Sequence, residues 1–241
     1  MEPALSDTQT RWPATAYCGA EAHDYDERRF MTPQGRLFSE LENRQFEPVL
    51  RRLTVPARVL EIGCGTARFA AMLARRGFTV VATDPSADMI AVAMQNCAGL
   101  SNVSFEQAEG ARLGYPDGAF DFVFAIRVVN QTESEDYALR MIREMIRLAR
   151  SGGLVLVEFA NRDRPLAKPS RDVRLSFGQV TRLADASGCE VVSRQGVLVF
   201  SQSVLDRVPN ALVPLWGMVE RGAAGVLRPW ASRGYVLLRK R

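Results

Sequence analysis

The 241-residue sequence contains a single histidine, four scattered cysteines and no long apolar run. The cysteines form no Cys-x-x-Cys pair, so we expect no metal site and no redox pair. No stretch approaches the roughly 20 apolar residues of a membrane span, which argues against stable membrane insertion. Residues 1–15 lack the apolar segment of a signal peptide, and the scattered cysteines suit a reducing compartment, so the expected location is cytoplasmic.

The sequence also lacks a strong charge imbalance. Its 31 basic and 27 acidic residues give a net charge of +4 and a pI near 9.1, without a long block of lysine or arginine. Nucleic-acid-binding domains usually carry such a basic patch, so we expect no nucleic-acid partner. A composition of 47% hydrophobic and 24% charged residues is ordinary for a globular protein with a buried core.

Strand-like and helix-like segments alternate between about residues 55 and 200. The runs that indicate strands are 58–62, 79–83, 103–107, 120–126, 154–159 and 191–200, with a further short one at 235–238. The segments that indicate helices between them are 69–76, 86–97, 134–149 and 175–186. Apolar strands alternating with helices are typical of a mostly parallel sheet covered on both faces, so the fold class is α/β.

Two segments lie outside this alternation. Residues 1–54 are predicted to form an N-terminal helical lid segment, and residues 55–241 the main domain. Within the main domain, residues 201–232 are apolar but interrupted by prolines, which predicts a helical insertion before the last strand. Three interpretations of this insertion stay open: a pocket wall or core cover, a homodimer interface, and contact with a membrane surface.

The most informative segment is a glycine turn at the end of the first strand. Gly63 and Gly65 permit positive φ angles and let a ligand approach the backbone, at the sheet edge where parallel sheets bind ligands. Asp84 ends the next strand about 20 residues later, which is the spacing of a ribose-binding acid in dinucleotide folds. A plain strand–helix turn, and a helix N-cap role for Asp84, remain alternatives. Arg68 occupies a position where dinucleotide binders need a small residue, which disfavours NAD and flavins.

Four motifs, in order over about residues 56–160, resemble the class I S-adenosylmethionine-dependent methyltransferases. They are the segments 61–68, 81–89, 107–121 and 150–156. The chain departs from the family pattern at Ala67, usually glycine, and at Gly114, commonly proline. The resemblance implies a Rossmann-like, seven-stranded, mostly parallel sheet with helices on both faces, and S-adenosylmethionine as the cofactor.

The resemblance also implies which residues surround the cofactor at the carboxyl ends of the strands: Glu61, Gly63, Cys64, Gly65, Asp84, Pro85, Ser86, Met89, Glu109, Gly110, Ala125 and Ile126. Asp84 would bind the ribose hydroxyls, and Glu109 would meet the adenine amine. Met89 fits the core of its own helix equally well, and Glu109 fits a solvated loop. The segment 22–30 loosely resembles a lid, in which Tyr25 would face the cofactor and Arg29 would pair with its carboxylate.

Methyl transfer requires mainly orientation from the protein, and a base only if the acceptor loses a proton. His23 is the candidate general base, with a surface or capping histidine as the alternative. Arg127 directly follows a buried strand and is the second catalytic candidate. It suits an anionic substrate group, or a salt bridge to Glu133 or Asp136. The residues expected on the substrate side are Arg127, Asn130, Trp216 and Met218.

The sequence therefore predicts a methyltransferase that acts on a small, largely apolar molecule, with O-methylation favoured. N- or C-methylation of a metabolite or lipid-like acceptor is the alternative. A nucleic-acid amino methyltransferase would favour an Asn/Asp-Pro-Pro-aromatic motif after the fourth strand, where this chain has Arg-Val-Val-Asn-Gln. A non-catalytic cofactor-binding protein stays open.

Overall fold

One sheet forms the centre of the computed structural model, which describes residues 22, 24–165, 171–200 and 202–241. Its strands are β1 Arg58–Ile62, β2 Thr79–Asp84, β3 Val103–Gln107, β4 Phe120–Ala125, β5 Ala149–Asn161, β6 Arg174–Leu175, β7 Cys189–Val197 and β8 Arg233–Lys240. The strand order is β3-β2-β1-β4-β5-β8-β7, with β6 paired to β5 off this path. Strands β1 to β6 pair in parallel, whereas β8 runs antiparallel to both β5 and β7.

Helices cover both faces of the sheet. They are α1 Tyr25–Phe30, α2 Pro33–Asn43, α3 Glu47–Leu50, α4 Arg68–Ala74, α5 Ala87–Asn96, α6 Glu135–Leu148, α7 Phe177–Ala186, α8 Gln202–Leu205 and α9 Val213–Val226. Successive side chains of β4 enter opposite cores, because side chains alternate across a strand: Phe122 and Phe124 pack with α2 and α4, and Val123 packs with α6. The predicted Rossmann-like α/β fold is confirmed.

Strand β5 begins earlier than predicted, and strand β6 was not predicted. Strand β5 begins at Ala149, because Gly152 adopts a φ of +74° and lets the chain continue the sheet past the end of α6. The two-residue β6 lies partly within a segment predicted as helix; Leu175 pairs with Asn161 before Ser176 caps α7. The described part of the sheet therefore has eight strands, one more than the seven that were expected.

The N-terminal helices belong to one of the two cores. Phe38 and Phe46 are buried with 1% and 0% of their surfaces exposed. The ring of Phe46 stacks on Phe69, with 4.8 Å between centroids, and meets Phe124 edge-on at 5.1 Å. Residues 33–50 thus complete the hydrophobic core, although they were grouped with a lid segment. The boundary at residue 54 remains a prediction, and His23 lies outside the described residues.

The apolar insertion before the last strand folds mainly into α9, which packs on α2 and β7. A Cβ on Gly217 would lie 2.8 Å from Leu37, so α9 approaches α2 closely at this glycine. The ring of Trp216 contacts Phe200, with centroids 5.0 Å apart, and Met218 is 64% exposed. This helix therefore covers the core that the N-terminal helices build.

Across the described ranges, every helix is too short or too polar to cross a bilayer. The same residues contain no group of three or more histidine, cysteine or acidic side chains arranged to hold a metal ion.

Candidate functional site

The glycine turn that follows β1 adopts the left-handed backbone that its residues predict. Gly63 has a φ of +70° and Gly65 a φ of +53°. The N–H groups of Gly63 and Cys64 both donate to the carbonyl oxygen of Thr83, at 2.7 and 2.9 Å, which ties the turn to β2. Ala67 also has a positive φ, of +64°, a conformation that glycine adopts without strain. The departure from the family pattern at this position therefore keeps the backbone shape.

Asp84 holds the two sides of the turn together. One carboxylate oxygen accepts the N–H of Gly65 at 2.9 Å, and the other accepts the N–H of Ser86 at 2.9 Å. Burial raises the pKa of Asp84, although these two N–H groups act in the opposite direction. The hydroxyl of Ser86 in turn accepts the N–H of Met89 and caps α5. Asp84 is thus a loop anchor as well as a residue at the cleft.

Glu61 is a buried acid at the end of β1. It is 2% exposed, and its Oε2 atom has no hydrogen-bond donor among the residues that the structure describes. Burial raises the pKa of Glu61 well above its usual value, against the lowering effects of Arg68 and the Ala70 N–H. The ionised carboxylate is therefore unfavourable in the protein alone, and its free oxygen is available to a donor on a ligand.

Replacing Glu61 with glutamine is expected to raise Tm at neutral pH. Because the folded-state pKa lies above the unfolded one, the stability that Glu61 contributes is present at low pH and is lost as pH rises. The increase in Tm of E61Q over the wild type should be largest near pH 8 and smaller in acid. Each kcal/mol gained in the free energy of unfolding should raise Tm by about 2–4 °C. Thermal unfolding at several pH values measures this, with the exposed Glu190→Gln as control. A lower Tm at pH 8 would contradict it.

A cleft opens at the carboxyl ends of β1, β2 and β4. It encloses about 970 Å³ of space not filled by protein atoms, counting the part open to solvent. All the residues predicted around the cofactor line this cleft except Arg29 and Ala125. Ala125 is fully buried in the core beneath it, and Arg29 lines a neighbouring cavity.

The cleft includes residues that sequence reasoning missed. Phe30, Thr66, Thr132 and Tyr137 line it. The hydroxyl of Tyr137 donates to Glu109 at 2.7 Å, and that of Thr66 donates to Asp26 at 2.7 Å. Glu109 is therefore held at the cleft by Tyr137, although its side chain is exposed. Phe30 and Thr66 lie within the segments 22–30 and 61–68 that the sequence analysis singled out, whereas Thr132 and Tyr137 carry no motif and reach the cleft through tertiary packing.

Arg127 lies at the edge of the cleft with an unusual backbone. Its φ is +65°, and its N–H donates to the Oε2 atom of Glu158 at 2.6 Å. Its Nη2 atom donates to the hydroxyl of Tyr25 at 2.5 Å, which joins α1 to the end of β4. Ion pairs of Arg127 with Glu133 or Asp136, the structural alternative, are not formed.

A second cavity, which we call the Arg127 cavity, adjoins the cleft and shares Arg127, Gln131 and Thr132 with it. Its other lining residues are Arg29, Asn130, Arg171, Asp172 and Arg233. Two residues expected on the substrate side, Arg127 and Asn130, thus lie together.

Trp216 and Met218, expected to face Arg127, line neither the cleft nor the Arg127 cavity. The reason is the direction of α9, which packs on α2 and β7 instead of covering the crevice. This placement corrects the expectation for both residues.

Comparison with known proteins finds a methyltransferase domain family and several curated methyltransferases. Residues 59–153 match the family described as methyltransferase domain. The methyltransferase GfsG of Streptomyces halstedii is 35% identical over 125 residues, which are 49% of this chain and 44% of that protein. The demethylmenaquinone methyltransferase of Clavibacter sepedonicus is 32% identical over 120 residues, 48% of this chain and 46% of that protein. The matches thus span slightly less than half the length of these curated relatives.

Solved structures share the fold at lower identity. Magnesium protoporphyrin IX methyltransferase from Synechocystis, solved with bound S-adenosylmethionine, aligns with a TM-score of 0.62 and 16% identity over 100% of both chains. The cyclase SpnF aligns with a TM-score of 0.61 and 22% identity over 82% of this chain and 80% of its own. These likenesses concern the fold. The family match assigns residues 59–153 to the methyltransferase domain family.

Proposed function

We propose that this protein transfers the methyl group of S-adenosylmethionine to a small molecule. The observation that carries the proposal is the cleft at the glycine turn, where Asp84 is fixed between Gly65 and Ser86 at the strand ends. The match of residues 59–153 to the methyltransferase domain family supports the same reaction. Because the curated relatives match this chain over about half their length, activity and substrate need a direct test.

The open backbone and the available hydrogen-bond acceptors of the cleft fit S-adenosylmethionine. A Cβ added to Gly65 would meet no atom within 4 Å, so the backbone borders open space that a ligand would occupy. The Oε2 atom of Glu61 lacks a donor among the described residues, and the ammonium of the methionine part would supply one. Asp84 would accept the ribose hydroxyls, since a carboxylate has more acceptor sites than the two N–H groups use.

The adenine end would lie near Glu109, which Tyr137 holds in place. Met89 packs against Ala22 and Val92 and also lines the cleft, so it combines the core and adenine-wall roles. Arg29 lines the Arg127 cavity, and we assign it to the acceptor side instead of the cofactor carboxylate.

When bound, S-adenosylmethionine supplies an activated methyl carbon. The chain's own contribution is orientation and the exclusion of water. Tyr25 and Phe30 of α1 line the cleft, and the hydrogen bond from Arg127 to Tyr25 fastens this helix to β4. The acceptor would enter from the Arg127 cavity, which adjoins the cleft.

We propose oxygen as the accepting atom. A neutral amine becomes positively charged as it is methylated, whereas an ionised hydroxyl loses its negative charge. The guanidinium of Arg127 at the cleft disfavours the positive charge that forms in the first change, and the second change forms no such charge. The relatives include ubiquinone biosynthesis O-methyltransferases, at 31% identity, but also the ajmaline N-methyltransferase, at 30%. The apolar side chains of Tyr25 and Phe30 suit an acceptor with an apolar body.

Calorimetry and a labelled-methyl assay test this function. We expect S-adenosylmethionine and S-adenosylhomocysteine to bind and NAD not to bind. We also expect transfer to members of a metabolite panel, with phenols preferred over matched anilines. NAD binding without a response to either adenosyl compound would overturn the proposal. Cofactor binding without transfer to any acceptor would favour the non-catalytic alternative.

Self-association remains a prediction. Several side chains of residues 212–230 are exposed and apolar, including Leu215 at 58% and Val226 at 82%. Sedimentation of the wild type and of Leu215→Ser would show whether a homodimer forms through this surface. The absence of a nucleic-acid partner and the cytoplasmic location also remain predictions.

A further inference from the structure

Arg127 is a buried cation at the junction of the cleft and the Arg127 cavity. The residue is 8% exposed. Within the described ranges, no carboxylate lies within ion-pair distance of its guanidinium. Its neighbours are the Tyr25 hydroxyl at 2.5 Å and the rings of Tyr25, Phe30 and Phe38, at 5.5–5.7 Å from the guanidinium carbon. A guanidinium has five N–H donors, so most of its hydrogen-bonding capacity remains for a ligand.

Two other largely buried arginines, unlike Arg127, form ion pairs with a carboxylate. Arg68 also lies over aromatic rings, but it forms an ion pair with Glu42. Arg233, in the Arg127 cavity, pairs with the Oε1 atom of Glu158 at 3.1 Å. Buried charges are normally paired because leaving water is costly. Arg127 departs from this rule at the one place where a ligand would supply the counter-ion.

Glu158 pairs with Arg233 and does not also form an ion pair with Arg127. Its Oε1 atom forms an ion pair with the guanidinium of Arg233, and its Oε2 atom accepts the backbone N–H of Arg127 at 2.6 Å. The Glu158 carboxylate thus contacts the guanidinium of Arg233 and the backbone of Arg127, and it forms no ion pair with the Arg127 guanidinium. The same contact holds Arg127 at a φ of +65°, a strained conformation for arginine. Strain of this kind is common at ligand sites, where surrounding contacts maintain it.

An independent polar group points to the same ligand site. Asn130 lines the Arg127 cavity and is 4% exposed, and its side-chain oxygen has no donor among the described residues. Because the oxygen and nitrogen of an amide can exchange places by rotation, this side chain can offer either an acceptor or a donor. A buried amide atom without a partner is costly, and a polar ligand would remove that cost.

We propose that the Arg127 cavity binds an anionic oxygen group of the methyl acceptor, a carboxylate or a phosphate monoester. The Arg127 guanidinium is its counter-ion, and the Asn130 amide is its neutral hydrogen-bond partner. The proposal rests on the proposed function, because the cavity adjoins the cleft in which the cofactor would lie. The acceptor then has an apolar body with one charged end, and is not largely apolar throughout.

Calorimetric titration of the protein saturated with S-adenosylhomocysteine tests the site with three probes: benzoate, phenyl phosphate and benzamide. We expect at least one oxyanion to bind about tenfold or more tightly than neutral benzamide, which corresponds to about 1.4 kcal/mol. Tighter binding of benzoate would identify a carboxylate as the anionic group, and tighter binding of phenyl phosphate would identify a phosphate monoester. Arg127→Gln should abolish the preference over benzamide. Arg143→Gln, which removes an exposed arginine from α6, should retain it.

A second variant, Asn130→Asp, tests the same site if Arg127→Gln fails to fold. Asn130→Asp has almost the same shape and adds a negative charge to the cavity, so it should also remove the oxyanion preference. Equal binding of benzoate, phenyl phosphate and benzamide by the wild type would overturn the proposal. It would also be overturned if Arg127→Gln weakened S-adenosylhomocysteine but not 5′-methylthioadenosine, because Arg127 would then be the counter-ion of the cofactor carboxylate.

Failure of the proposed function gives a different result. If S-adenosylhomocysteine does not bind at all, the same probes are titrated into the unliganded protein, where the anion site is measured without the cofactor. Bound S-adenosylhomocysteine without an oxyanion preference leaves the methyltransferase function intact and rejects the anion site.

Discussion

Replacing Asp84 with alanine is expected to weaken the binding of S-adenosylhomocysteine at least tenfold. In the proposed complex the carboxylate accepts hydrogen bonds from the ribose hydroxyls, and such bonds to a charged group contribute about 1.5–3 kcal/mol each. A tenfold loss needs only about 1.4 kcal/mol. The variant also loses the contacts of Asp84 with the N–H groups of Gly65 and Ser86, which fix the turn before the ligand arrives. The loss of the ribose hydrogen bonds and the loss of the contacts that fix the turn both weaken cofactor binding.

The pH dependence of the wild type provides a second measurement. Burial raises the pKa of Asp84, so its carboxylate takes up a proton at a higher pH than an ordinary aspartate. The protonated group has fewer acceptor sites, and we expect cofactor affinity to fall as pH is lowered through this range. Asp84→Asn should remove this dependence, because the amide does not titrate.

The control is Asp185→Ala, which removes an exposed aspartate of α7 far from the cleft along the chain. Its affinity should match that of the wild type. If Asp84→Ala stays folded and its affinity changes by less than about twofold, or roughly 0.4 kcal/mol, then Asp84 acts only as a loop and helix anchor.

The placement of the predicted cofactor residues at one edge of the sheet could be predicted from the sequence because its determinants are local. Gly63 and Gly65 follow a buried strand directly, and Asp84 ends the next one, so strand ends alone bring them to one edge of the sheet. The two-residue strand β6 was not predictable, because a run of that length has no periodicity. Its pairing with Asn161 depends on the path of the chain between them.

The acceptor side was harder to predict because its residues meet only through tertiary packing. The apolar composition of residues 201–232 showed that they must cover something, but not which surface. The close approach of Gly217 to Leu37 places α9 against α2, which takes Trp216 away from Arg127. The counter-ion of Arg233 came from the middle of a buried strand, where Glu158 reads as an interruption of an apolar run.

The second large effect concerns the N-terminal segment. Replacing Phe46 with alanine is expected to destabilise the whole domain by about 3–5 kcal/mol, as for other buried phenylalanines. For a chain of this size, that corresponds to a fall in Tm of roughly 6–20 °C, at about 2–4 °C for each kcal/mol. The ring is fully buried, stacks on Phe69 and meets Phe122 and Phe124 of β4 edge-on, so its removal opens a cavity beneath the sheet.

Differential scanning calorimetry with and without S-adenosylhomocysteine distinguishes a core element from a lid. If residues 33–50 belong to the core, Phe46→Ala lowers one cooperative transition, and saturating ligand raises the Tm of wild type and variant alike. Met94→Ala, which truncates a side chain that is 59% exposed, should leave Tm nearly unchanged. A detachable lid gives the opposite pattern: Tm changes by less than about 2 °C while cofactor affinity falls. That outcome would contradict the packing of Phe46 against the sheet, since a fully buried ring cannot leave its neighbours without loss of stability.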